Sequence, residues 1–227
     1  MSFHIENGLK FEINDSHTEA TLLGFESSSP FVIKHIPNLY IPDFTRGDVP
    51  VTRIENNAFE NTDEIETVFL PKSLKEISMC AFYGCRHLKK VRMNNSKQNI
   101  LCIHSFAFSQ CFELEEFDVF RSLFIMNNAF QKCNNLGIIY GPIVELEPYA
   151  FNGCYNLYKI NFHDNAKLHY DSFSNCKIEN IRCSGNLQLA EDTTRTLIGQ
   201  ETNVLCIDDS NVSELAYEGV KISCGKV

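Results

Sequence analysis

Ten cysteines are the residues of this chain best equipped for chemistry, and their spacing decides what chemistry that could be. Cys85, Cys111, Cys133, Cys154 and Cys176 follow one another at intervals of 26, 22, 21 and 22 residues. A zinc site draws four ligands into a tetrahedron, whereas cysteines on a repeating coil fall into a line. Such thiols can pack as small hydrophobes, pair as disulfides or hold a metal; the linear spacing favours packing. Cys80 and Cys102 lie off this row and are the more reactive candidates. Seven histidines are scattered without a repeated partner, and no H-E-x-x-H, C-x-x-C, G-x-G-x-x-G or phosphate-loop pattern occurs. Arg46-Gly47-Asp48 matches an adhesion tripeptide, but lies in ordinary turn chemistry between Thr45 and Pro50. Asn14, Asn94 and Asn211 head N-x-[ST] sequons, which matter only in a secreted chain. Cys224 stands fourth from the end, yet a prenylation box wants aliphatic residues where Gly225 and Lys226 stand.

The elements that must position these residues are constrained by composition. The chain has 227 residues, 44% apolar and 22% charged, a globular balance that excludes wholesale disorder. Its net charge of -9, from 20 basic and 29 acidic residues, argues against a nucleic-acid partner held by phosphate contacts. No apolar run reaches the roughly 18–20 residues of a membrane helix, so membrane insertion is not expected. The segment from Met1 to Asn7 has neither a basic nor an apolar signal region, which predicts a cytoplasmic location.

A repeat explains the abundance of phenylalanine, 18 in all. Ala58-Phe59, Ala81-Phe82, Ala107-Phe108, Ala129-Phe130 and Ala150-Phe151 are one dipeptide, with Ser172-Phe173 a weaker sixth copy. The Phe-to-Phe spacings are 23, 26, 22, 21 and 22. Three residues after each Phe comes Thr62 and then the cysteine row; nine after it come Val68, Val91, Phe117, Ile139 and Ile160, with Ile181 early by one. A unit this short cannot bury its own apolar face, so the copies must stack into a solenoid with a shared core. Leu88 to Met93 alternates as a short strand, Leu74 to Ile77 suggests a second strand on the opposite side, and Ala-Phe-x-x-Cys is expected as a compact helical turn.

The pattern Leu-x-x-Val-x-Leu-Pro-x-x-Leu-x-x-Ile-x-x-x-Ala-Phe-x-x-Cys, copied best by Val68 to Ile77, resembles the BspA-like class of leucine-rich repeats over residues 38 to 183. Two departures stand out: the proline after the strand survives only at Pro42, Pro71 and Pro142, and Asn94 to Asn99 form an insertion. The expected fold is a β-rich α/β solenoid: a leucine-rich repeat with short parallel strands, about six coils of 21–26 residues and β-type terminal caps. Residues 1–50 are expected as a hairpin cap and first coil, 51–183 as the array, and 184–227 as a degenerate last coil and cap. In the first of these, Leu9 to Ile13 and Ala20 to Leu23 read as paired strands around a turn at Asn14-Asp15-Ser16, and Leu39-Tyr40-Ile41-Pro42 already matches the repeat's strand. In the last, Val204 to Ile207 reads as a strand, and Ala216 to Cys224 as the closing segment.

Alternation along each strand puts the flanking residues outside the core. The outward pairs are Thr67/Phe69, Lys90/Arg92, Glu116/Asp118, Ile138/Tyr140, Lys159/Asn161 and Asn180/Arg182. A basic row beside an acidic row is explained by cross-strand attraction worth about 0.2–1 kcal/mol. Phe69, Ile138 and Tyr140 gain nothing on a solvated face, and with Phe120 they form a candidate contact cluster. The candidate partner-binding residues are therefore Phe69, Lys90, Arg92, Glu116, Asp118, Phe120, Ile138, Tyr140, Lys159 and Arg182.

No acid, base, nucleophile or phosphate cradle converges, so no enzyme and no cofactor is expected. The first functional reading is a binding module that recognises a protein partner through the strand face. The family resemblance implies association with cell surfaces and adhesion. The other reading is an intracellular scaffold or self-assembling structural protein, suggested by the absent signal segment and the many cysteines.

Overall fold

The computed structural model describes residues 2–26, 36–93, 100–169 and 171–176, together with strands over 180–183, 187–189, 203–206 and 221–224. The strands are β1 (Ser2–Glu6), β2 (Leu9–Ile13), β3 (Ala20–Phe25), β4 (Asn38–Tyr40), β5 (Val51–Ile54), β6 (Thr67–Leu70), β7 (Glu76–Ile77), β8 (Lys90–Met93) and β9 (Leu101–Ile103). They continue as β10 (Glu116–Val119), β11 (Leu123–Ile125), β12 (Ile138–Ile139), β13 (Ile143–Leu146), β14 (Lys159–Leu168), β15 (Asn180–Cys183), β16 (Leu187–Leu189), β17 (Asn203–Cys206) and β18 (Lys221–Cys224).

Two parallel ladders run the length of the stack. One joins β4, β6, β8, β10, β12, β14, β15, β17 and β18. The other joins β3, β5, β7, β9, β11, β13, β14 and β16. The long strand β14 serves both. Together they form a β-solenoid, of about five turns among the described residues. The insertion at 94–99, Ile178, Ile207 and most of the closing segment from Ala216 lie outside the described residues.

The core is a set of columns. Phe59, Phe82, Phe108, Phe130, Phe151 and Phe173 are buried and stack face to face, with centroids 5.1 to 5.8 Å apart. Phe117 meets Phe108 and Phe130 edge-on at 5.4 and 5.1 Å. Offset and edge contacts of this kind add about 0.5–1.5 kcal/mol per pair beyond area burial.

The expected helical turn is not what the corner forms. Among the described residues there is no helix, so the α part of the expected α/β class has no counterpart there. Ala129 N–H donates to Met126 O, Gln131 N–H to Asn128 O and Cys133 N–H to Phe130 O, a run of overlapping turns of three-residue span. Within them Asn128 and Lys132 have φ of 57° and 60°, the positive φ that a type II turn demands at its third position. The equivalent pairs are Asn57 and Asn61, Cys80 and Gly84, Phe106 and Gln110, Tyr149 and Gly153, and Asp171 and Asn175. Left-handed residues at these intervals interrupt any helix. The amide of Phe130 donates across to Ala150 O and that of Lys132 to Asn152 O, each at 2.8 Å. Neighbouring coils thus satisfy at the corner the backbone groups a helix would satisfy within itself.

At the N-terminus, β1, β2 and β3 form an antiparallel meander, and β3 joins β5 in parallel. β1 lies ahead of the strands read from the sequence. Phe25 caps the phenylalanine column, meeting Phe59 edge-on at 5.1 Å. Gly24, at φ 120°, makes this approach feasible, since a Cβ there would lie 2.2 Å from Ala58 O.

Candidate functional site

The first ladder carries the candidate face. Its core column runs Leu39, Val68, Val91, Phe117, Ile139 and Ile160, all buried. On one side of it the outward column is Asn38, Thr67, Lys90, Glu116, Ile138 and Lys159. On the other side Tyr40, Phe69, Arg92 and Asp118 are in register, and Tyr140 follows, its amide bound to Phe117 O. Period-two alternation produces these columns directly. Arg182 pairs with Asn161 by backbone register; its side chain lies outside the described residues.

Charges on this face are partly used up. Glu116 takes both cations: Lys90 Nζ lies 3.3 Å from Oε1 and Arg92 Nη2 3.4 Å from Oε2. Asp118, in register with Arg92, does not share them; its Oδ1 is shielded from solvent with no hydrogen-bond partner among the described residues. Lys159 and Ile138 are half-buried neighbours in the column of Glu116.

The aromatic groups do not form the single cluster the sequence suggests. Phe120, 54% exposed, lies 5.4 Å from Tyr140. Phe69 instead stacks on Tyr40, 4.3 Å away and within 3° of parallel. Arg92 and Asp118 separate the two pairs, because each coil advances by about 4.8 Å. Tyr40, 64% exposed, was missed as a candidate. Its signal was present: Leu39 occupies the column of Val68, which puts Tyr40 beside Phe69.

Just past the face, Arg121 is buried and its Nη1 donates to Leu74 O at 2.6 Å, tying this coil's corner to a distant one. Burial holds the Arg121 guanidinium pKa below its usual value. Gly141 packs over the same corner, where a Cβ would lie 2.3 Å from Arg121 O.

The cysteine row lies inside. Cys85, Cys111, Cys133, Cys154 and Cys176 are buried free thiols. Each donates to the carbonyl of the phenylalanine one coil earlier, at 2.9 to 3.1 Å. Burial pushes the thiol pKa values of Cys85, Cys133 and Cys154 well up. Cys80 and Cys102 are partly exposed, and burial raises theirs as well. Thiols with raised pKa values are poor nucleophiles at neutral pH.

On the opposite ladder, Asn14, Glu19, Thr21, Thr52, Arg53, Lys75 and Glu76 line a shallow polar groove. Its charges are engaged with one another: Glu19 with Lys75, and Arg53 with Glu76 at 3.6 Å. The Lys75 hydrogen bond lowers the Glu19 pKa. Arg46-Gly47-Asp48 sits in a turn closed by Thr45, with Arg46 held to Glu6 at 3.6 Å. Among the described residues no group of three or more His, Cys, Asp or Glu is placed to hold a metal ion.

The stacked coils and their spacing have known counterparts. The profile of the BspA type leucine rich repeat region matches residues 52–180 in six copies. The chain belongs to the BspA-type leucine-rich repeat family. Among solved structures, a leucine rich cell surface protein from Faecalibacterium prausnitzii superposes on 92% of this chain with a TM-score of 0.67 at 20% identity. This chain spans only 56% of that protein. A T. pallidum leucine rich repeat protein matches 81% of this chain and 86% of its own length, with a TM-score of 0.57 at 16% identity. At these identities the likeness is one of fold. No curated protein matches the chain.

Proposed function

We propose that the chain is a non-catalytic protein-binding module that recognises a macromolecular partner through the strand face, in surface-associated adhesion. One observation carries this reading. Two aromatic pairs, Tyr40 with Phe69 and Phe120 with Tyr140, are held on a rigid ladder with Tyr40 and Phe120 more than half exposed. Large apolar groups fixed on a solvated surface gain from being covered, and aromatics dominate protein interfaces. Solenoids use such extended faces for binding. Likeness in fold to a cell surface protein is in keeping with a surface-associated setting. In this reading the N-terminal meander caps the array of residues 51–183.

The test is a pull-down with the full chain, followed by affinity measurement with the recovered protein. Phe69→Ser with Tyr140→Ser should leave the unfolding curve in place and weaken binding by at least about tenfold. Unchanged affinity would reject the face.

An intracellular scaffold is the second reading, and the buried thiol ladder favours it, because free cysteines persist in reducing compartments. Surface labelling of intact cells separates the two: a protein never labelled from outside is not an adhesin.

A further inference from the structure

β1 is the outermost strand of the N-terminal meander. Among the described residues it pairs with β2 alone, in unbroken register from Ser2 opposite Ile13 to Glu6 opposite Leu9. Its side chains divide between two faces. His4 and Glu6 stand opposite the buried Phe11 and Leu9 and are themselves half-buried. Phe3 and Ile5 point the other way and are 63% and 53% exposed. Lys10 Nζ lies over the Phe3 ring, 5.1 Å from its centroid, and most of the side chain still meets water.

The turn decides which backbone groups of β1 are free. Asn7 and Gly8 have φ of 51° and 77°, the two positive values of a type I′ hairpin. Such a turn is closed by a hydrogen-bonded pair, here Glu6 with Leu9, and bonded pairs then alternate along an antiparallel ladder. His4 with Phe11 and Ser2 with Ile13 are the other bonded pairs. Phe3 and Ile5 therefore turn their N–H and C=O groups away from β2, toward the edge.

Native edge strands are blunted by lysine, proline or a bulge. β1 has none of these. Its one carboxylate, Glu6, is held by Arg46 at 3.6 Å. A row of free backbone donors and acceptors is matched by another strand, and β1 matches itself. When a second β1 lies antiparallel with the two His4 residues opposed, Phe3 meets the partner's Ile5, and Ile5 the partner's Phe3. Each pair then exchanges both of its backbone bonds. The same register sets the Phe3 ring beside the partner's Ile5 on the exposed face, a favoured aromatic and β-branched pairing. A slip of two residues either way carries Phe3 or Ile5 past the end of the strand.

We propose that two copies of this chain associate through their β1 strands, antiparallel about His4, with Phe3 of each against the partner's Ile5. The contact is isologous and closes on itself, so it stops at a dimer. β1 joins the second ladder through β2, β3 and β5, so the contact does not depend on the strand face proposed above. Two such short strands bury less than the roughly 1,200–2,000 Å² of a standard interface, and the dimer is a weak one.

The test is sedimentation velocity of the full chain from low to high micromolar concentration. A reversible shift from monomer to dimer is expected. Ile5→Pro removes an outward N–H and leaves the bonds to β2 intact. It should raise the dimer dissociation constant by at least about tenfold, because the two-fold axis deletes two hydrogen bonds at once. Phe3→Lys, at an exposed position, should weaken the dimer as much while keeping the thermal unfolding curve of the parent chain. Register is read by mild oxidation. Chains carrying Phe3→Cys mixed with chains carrying Ile5→Cys should form a disulfide between the introduced thiols, located by mass spectrometry, and neither variant should do so alone. A chain that stays monomeric throughout overturns the inference, whatever else pairs with the edge. So does a dimer that ignores Ile5→Pro and Phe3→Lys, or a mixture that cross-links no better than either variant by itself.

Discussion

The thiol of Cys133 donates a hydrogen bond to the carbonyl oxygen of Phe108, 3.0 Å away in the preceding coil. That carbonyl already accepts the amide of Cys111, so one oxygen joins its own turn to the next coil. The relation recurs from Cys85 to Cys176, and it explains why a cysteine stands there. The site admits a small side chain, is dry, and offers a carbonyl lone pair to a weak donor.

Stability should therefore fall at alkaline pH. Burial raises the folded-state thiol pKa values of Cys85, Cys133 and Cys154, so the unfolded chain loses these protons first. Their contribution is complete below the unfolded thiol pKa of about 8.5 and is lost as pH climbs from there toward the folded values. Each thiol should steepen the decline by roughly 1.4 kcal/mol per pH unit. Urea unfolding across this range, compared between the parent chain and Cys133→Ala, isolates one increment. Parallel pH profiles would show that the thiol is not held protonated by the fold.

Phe130→Ala should cost about 3–5 kcal/mol, the penalty for truncating a buried aromatic. Phe130 is fully buried, stacked between Phe108 and Phe151, with Phe117 edge-on. Equilibrium denaturation measures it. A loss below about 1 kcal/mol would mean that the phenylalanine column is not the core.

Gly141→Ala should destabilise by about 1–3 kcal/mol or more, as overpacking does. Its Cβ would press on the carbonyls of Arg121 and Val119, which are backbone and cannot swing aside. A neutral substitution, read by thermal unfolding, would show that this corner is looser than described.

Much of this was legible because a repeat samples each position several times. Phenylalanine, cysteine and the aliphatic residue of the strand kept their types through successive coils, so their columns and the outward pairs could be written down from the sequence. The corner was not legible. The first left-handed position of each corner is held by Asn57, Cys80, Phe106, Asn128, Tyr149 and Asp171, and Cys80, Phe106 and Tyr149 carry no sign of that backbone in their type. Hydrogen bonds to the neighbouring coil impose that backbone, and tertiary demand overrides local preference there. Tyr40 escaped because its coil lacks the Ala-Phe dipeptide that marks the others. The isolation of Asp118 was also hidden, since nothing in the order of residues says that Glu116 takes both Lys90 and Arg92.

The most direct measurement is hydroxyl-radical footprinting of the full chain with and without its recovered partner. Tyr40, Phe69, Phe120 and Tyr140 should become protected from oxidation. Tyr155 and Tyr158, exposed at a corner outside the candidate columns, should keep their reactivity. Protection of Tyr155 and Tyr158 with the four strand-face aromatics unchanged would contradict the proposed binding face.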